Sequence, residues 1–242
     1  MGEAVSCATN LSPLPCDEDG TGRTFGPERQ RVMTFAKVTA EEFYALLEGR
    51  GSARFRRELA RYEFFAPGGD CAVHHGSLSV PDALPASAAN MLVLGDLSAD
   101  GLLDLGEDGT ECGCFIVLGN VACSAFANAY GKCVMIDGNL EADEIIVNSF
   151  EDSALMVTGH LRTYFYHGID IWAEVGGRAE MEYGDGYCLP IGYTAAAAEA
   201  IEPRHDRDAS LHRLSFGNGE SVDPQDFLDR LKNGQPIFRP LR

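Results

Sequence analysis

Val93-Leu94-Gly95-Asp96-Leu97, Val117-Leu118-Gly119-Asn120-Val121, Ile136-Asp137-Gly138-Asn139-Leu140, Val157-Thr158-Gly159-His160-Leu161 and Val175-Gly176-Gly177-Arg178-Ala179 follow one pattern. Their shared glycines, Gly95, Gly119, Gly138, Gly159 and Gly177, lie 24, 19, 21 and 18 residues apart. A period near 20 residues marks a solenoid, in which each coil buries its inner face only by stacking on its neighbours.

Alignment on the glycines tests this reading. Two residues before them stand Val93, Val117, Ile136, Val157 and Val175, and two after stand Leu97, Val121, Leu140, Leu161 and Ala179. Four before stand Met91, Phe115, Val134, Leu155 and Ala173, and four after stand Ala99, Cys123, Ala142, Thr163 and Met181. These apolar or small residues alternate with mostly polar ones, the period of a strand with one buried face. The glycine falls on the inward side, where a side chain would crowd a tight coil. The expected fold is mainly β: a short solenoid of about five coils over 88–193, with helical segments flanking both ends.

The flanks read as follows. Residues 1–30, rich in Gly, Pro, Ser and Thr, form a flexible N-terminal arm. Residues 31–87 are a mixed strand and helix region. In it, 31–38 (RVMTFAKV) suits a short strand, and Thr39 with Glu42 forms a capping box for a helix that Gly49 stops. A second helix should occupy 53–65, with Phe55, Leu59 and Tyr62 on one face. Residues 194–242 form a C-terminal helical cap: a short helix in the run TAAAAEAI, a polar linker, then a helix with Asp223 as N-cap, Pro224 at its first position and Gly234 past its end. The outward row Leu92, Ile116, Met135 and Met156 is apolar, and the 53–65 stretch is the expected cover.

The (V/I)-x-G-(D/N)-(L/V) repeat resembles the β-helical repeats of bactofilins, the polymer-forming cytoskeletal proteins of bacteria. That resemblance covers about residues 88–193 and implies a right-handed β-helix that assembles end to end. The uneven spacing and the flanking helices oppose such stacking here. As an acidic chain with an embedded repeat block, the sequence is also similar to immunity proteins of bacterial toxin systems. This second resemblance implies a partner toxin that the protein neutralises by binding.

Composition points to the same class of partner. The formal net charge is −18, from 37 Asp and Glu against 19 Lys and Arg. Residues 91–193 hold 17 of those acids and only three bases, Lys132, Arg162 and Arg178. So negative a surface repels nucleic acid and anionic membranes and favours a basic protein, for example a nuclease. The candidate partner-binding residues are Asp96, Asp137, Glu141, Asp143, Glu144, Glu151, Asp152 and Asp170. The protein is expected to act as a monomer or homodimer, without cofactor.

Chemistry has few footholds. The motifs G-x-S-x-G, H-E-x-x-H, the P-loop and G-x-G-x-x-G after a strand are all missing, as is the strict hexapeptide repeat of left-handed acyltransferases, so no catalytic residue is assigned. Eight cysteines in a chain of this length read as free thiols of a reducing cytoplasm. Cys112-Gly113-Cys114 lacks a second pair, Cys114 and Cys133 stack coil on coil, and both suit packing better than metal binding, with an enzyme built on a Cys/His site as the second alternative after the filament. His74-His75 is placed in a loop before the solenoid, His160 on the solvated surface, and Gly184-Asp185-Gly186 in a turn. No run of about 18 apolar residues suggests a membrane-crossing helix.

Overall fold

The computed structural model describes residues 35–61, 69–81, 84, 88–105, 113–128, 132–149, 154–170, 173–193, 198–217, 219 and 222–240. The N-terminal arm, and the part of the second helix beyond residue 61, lie outside the described residues. In chain order come strand β1 (Ala36–Val38), helices α1 (Ala40–Leu47) and α2 (Ala53–Leu59), then β2 (Cys71–His75) and β3 (Leu78–Val80). There follow β4 (Asn90–Leu94), β5 (Leu97–Ala99), β6 (Leu102–Asp104), β7 (Cys114–Val117), β8 (Val121–Asn128), β9 (Cys133–Ile136) and β10 (Leu140–Ser149). The chain continues with β11 (Ala154–Val157), β12 (Leu161–Ile169), β13 (Ala173–Val175), β14 (Ala179–Gly186), β15 (Ile191–Tyr193) and β16 (Ala198–Ala200). It closes with helices α3 (Arg207–Arg213) and α4 (Pro224–Lys232).

The strands stack into a β-solenoid of two sheets. One runs β1-β2-β4-β7-β9-β11-β13-β15-β16, the other β14-β12-β10-β8-β5-β3, with β6 also paired to β8. The coil-to-coil pairs are parallel, and the rows flanking the glycines are found in register: Val93↔Val117↔Ile136↔Val157↔Val175 in the first sheet, Leu97↔Val121↔Leu140↔Leu161↔Ala179 in the second. Val117, Ile136 and Val157 are fully buried in the lumen. The repeat glycines are required by close approach of the backbone. A Cβ on Gly119 would lie 2.5 Å from the carbonyl carbon of Gly95, and one on Gly138 would lie 2.4 Å from the Gly119 oxygen.

The residue after each glycine joins the coils. Asp96 accepts from the Asn120 amide (2.7 Å), Asn120 from Asn139 (3.0 Å), Asn139 from His160 (2.8 Å), and the His160 ring Nδ1 from Arg178 (2.9 Å). His160 is thus a rung of this ladder as well as a surface group. Backbone amides at the corner of a coil have no strand partner of their own, and these side chains supply one.

The structure corrects several expectations. The solenoid starts a coil earlier than residue 88, because β2 and β3 pair in parallel with β4 and β5. His74 and His75 therefore lie in a strand, where Gly76 precedes Leu78 as Gly95 precedes Leu97; two histidines in the strand obscured the apolar pattern. Gly184-Asp185-Gly186 belongs to β14, since pairing with β12 outweighs the local turn preference. Part of the TAAAAEAI run forms β16, paired antiparallel to β15, so the sheet edge overrides the helix propensity of alanine. The expected linker contains α3, capped by Asp206.

Both terminal segments cover outward apolar rows. Against the first sheet, Phe43 and Leu47 of α1 and Phe55 of α2 bury Val73, Leu92, Ile116, Met135 and Met156, with Leu59 partly buried beside them. Thr39 and Glu42 cap α1 reciprocally, as expected. Against the second sheet, the C-terminal cover packs Leu211, Leu214, Phe227 and Ile237 on Ala125, Ile145, Val147 and Phe165. That cover rests on the later half of each long strand only.

Candidate partner-binding surface

Among the described residues, no helix covers the earlier halves of the same strands. There the outward row runs Ser79, Ser98, Ala122, Glu141, Arg162 and Glu180 in register, from β3 through β14. All are exposed except Glu141, which is half-buried. The rims differ in kind. One is the ladder from Asp96 to Arg178. The other is a corner where β10 places two residues, Asp143 and Glu144, opposite the single Ser124 of β8 and Tyr164 of β12. Such a bulge turns side chains away from the strand, and the Asp143 side chain is 78% exposed.

Much of the charge here is already matched. Arg162 reaches Glu141 at 2.8 Å and Asp143 at 3.8 Å; the bond to Glu141 holds the guanidinium above its ordinary range. Glu182 meets Arg204 at 3.1 Å and His205 at 3.3 Å. A groove of about 290 Å³ lies between them, lined by Asp143, Arg162, Tyr164, Glu180, Glu182 and Arg204 among others. Its alternating signs make it a rim of the open face and no dedicated ion site.

The candidate acids do not form one cluster. Glu141, Asp143 and Glu144 lie on the open face or its bulged rim. Asp96 is engaged in the ladder. Asp137 holds the N-terminal cover, accepting from the amide and hydroxyl of Ser52 at 2.6 Å each and from the Thr158 hydroxyl at 2.9 Å. Asp170 sits past the end of β12 at a positive φ of 63° and accepts from the Tyr187 hydroxyl. Glu151 and Asp152 lie outside the described residues. Sequence reading did not single out Glu180 and Glu182, although their place on either side of the apolar Met181 in a strand puts both on the outward face.

The thiols pack. Cys71, Asn90, Cys114 and Cys133 form a row across β2, β4, β7 and β9, in which Asn90 bridges Cys71 and Cys114. Burial pushes the Cys114 and Cys123 thiols up to about 12, so neither supplies a thiolate near neutral pH. Among the described residues no group of three or more His, Cys, Asp or Glu is placed to hold a metal ion, and no helix is long and apolar enough to cross a membrane.

A second titratable cluster lies under the C-terminal cover. His167 of β12 is fully buried, with neither ring nitrogen hydrogen-bonded. Its Nδ1 is 3.8 Å from a carboxylate oxygen of Asp185, which Arg207 of α3 already engages at 2.8 Å. Burial pushes the imidazole down from 6.5 to about 4. The pull of Asp185 opposes this, but the guanidinium of Arg207 weakens it. The sequence carries no sign of this cluster, because its members come from three elements.

Comparison with protein-family models, with curated proteins and with solved structures finds no match to this chain.

Proposed function

We propose that this chain is a non-enzymatic binding protein that captures a basic protein partner on the open face of its solenoid, as an immunity protein neutralises a toxin. One observation carries the reading. Two outward surfaces of the coils are covered by the chain's own helices, whereas the third is bare among the described residues and rimmed by acids. On and around it, Asp96, Glu141, Asp143, Glu144, Glu180 and Glu182 outnumber Arg162, Arg178 and Arg204. A rigid surface with excess negative charge speeds encounter with a basic partner and disfavours acidic ones.

The alternative, a bactofilin-like filament, needs free coil ends. Here β1 lies antiparallel on β2 at one end of the first sheet, and the β15–β16 hairpin closes the other. The amides of Arg204 and His205 donate to Met181 and Glu182 of β14, occupying part of the β14 edge of the second sheet. Antiparallel strands and occupied edges oppose continuation of a parallel stack.

The test is co-expression with the product of the adjacent gene, followed by association kinetics at two salt concentrations. The expected result is protection of the cells and an association rate that falls with salt and with Asp143, Glu144 and Glu180 all changed to Lys. Such charges are screened over about 10 Å at 0.1 M salt. No protection, together with polymers in electron micrographs of the purified protein, would replace this reading with the filament.

A further inference from the structure

We propose that the C-terminal cover, α3 with α4, is an acid-opened lid whose latch is His167. The geometry is a buried contact between sheet and lid that has no place for a second positive charge. The His167 ring centroid is 4.8 Å from that of Phe227 of α4, and the imidazole is fully buried without a hydrogen bond to either nitrogen.

The groups around the imidazole define what protonation meets. From β10 come Val147, in register with His167, and the buried hydroxyl of Ser149, neither of them titratable near neutral pH. On the other side, β14 offers Asp185, in register with His167. Arg207 reaches that carboxylate from α3. Helix α4 brings Phe227 and, at its N-cap, Asp223, which accepts from the Gln225 amide. Both carboxylates near the ring therefore already serve other donors. An added proton must be desolvated against an aromatic ring and an aliphatic side chain, so the closed state excludes it and the open state takes it up.

The rest of the lid keeps it a separable unit. Among its bonds to the sheet are Arg207 with Asp185 (2.8 Å), the Gly184 amide donating to the Ser210 hydroxyl (3.0 Å), Arg213 donating to the Tyr164 hydroxyl (2.6 Å), and Lys232 with Asp104 (3.2 Å), and none of these four joins the lumen. The lumen rows are stacked beneath it on a different face of the strands. Opening would bare the strip Ala125, Ile145, Val147 and Phe165 while leaving the coils paired.

Hydrogen exchange of the full chain at pH 8 and pH 5, corrected for intrinsic rates, tests the lid. A latch with an ordinary value of 6.5 when open and about 4 when closed raises the opening constant about 30-fold at pH 5. Amides of α3 and α4 should show that rise, while those of β9 and of α1 should not. His167→Phe, which keeps an aromatic ring against Phe227, should abolish it. An NMR titration of the parent imidazole gives a second measure that needs no variant, and His167 should stay neutral at pH 5 in the closed population. The proposal is overturned by any of three results: equal acceleration of lid and lumen, an unchanged response in His167→Phe, or an imidazole that titrates near 6.5 with the lid closed.

Discussion

The two covers of the solenoid perform the same task with different chemistry. Each lays two short helices over an outward apolar row and buries phenylalanine there, Phe43 and Phe55 on one side and Phe227 on the other. The N-terminal cover buries a carboxylate, Glu58, but pairs it. Asp137 binds the N-cap of α2 from a half-buried position, and Glu58 lies between Arg57 and Arg61. Burial pushes Glu58 up, yet its two guanidinium bonds outweigh this and hold it below 4.5. The C-terminal cover instead seals an imidazole inside. Two similar covers can thus differ in sensitivity to acid, and the difference lies in whether the buried titratable group is hydrogen-bonded.

Removing the anchors gives the largest effects. Phe55→Ala and Phe227→Ala should each cost about 3–5 kcal/mol, from lost burial and the cavity left behind, measured by denaturant unfolding. The two variants should then part in their pH response. Phe227→Ala admits water beside His167 and should shrink the acid sensitivity, whereas Phe55→Ala should leave it intact. Identical responses would break the comparison.

Acid gives the next effect. His167 has its folded value depressed to about 4 against 6.5 unfolded, so the unfolded chain binds more protons between these limits. Stability is therefore present above about 6.5 and is lost as pH falls toward about 4, by at most about 3 kcal/mol. Glu58 and Glu42, both held below 4.5, act only at lower pH: their stabilisation is present above 4.5 and disappears below it. Thermal melts from pH 8 to pH 5 should show a loss that His167→Phe removes. A smaller effect tests the N-terminal anchor: Asp137→Ala strands Ser52 and Thr158 and should cost about 1–3 kcal/mol, at every pH in that range.

How much of this was legible depended on the period of each feature. The lumen rows were readable because they repeat, and five agreeing segments outweigh local noise. The first coil was missed because His74 and His75 occupy places filled elsewhere by Val93 and Leu94. The apolar outward row Leu92, Ile116, Met135 and Met156 announced a cover, and Phe55 was a correct choice for it; α1 joins it because Phe43 and Leu47 face the same row. The (D/N) of the repeat was visible as a pattern, but its role as a ladder needs the coil spacing in three dimensions. The open face was least legible. Its identity depends on where other segments pack, and exposure is decided by what fails to cover a surface.

The smallest predicted effect bears most directly on function. Glu141 and Arg162 form the central pair of the open face, with the Arg162 side chain 56% exposed. An exposed ion pair gains little over its hydrated partners, because water screens the attraction and two long side chains must be ordered to make it. Glu141→Ala and Arg162→Ala should therefore each change stability by less than about 1 kcal/mol, and a double-mutant cycle should couple them by less than that. If either single change instead costs as much as Asp137→Ala, the pair holds coils together as the ladder does. The face would then be a structural element, and its bareness would lose its force as a sign of a binding surface. If both are neutral to folding, any change that they cause in association with a basic partner belongs to the interface itself.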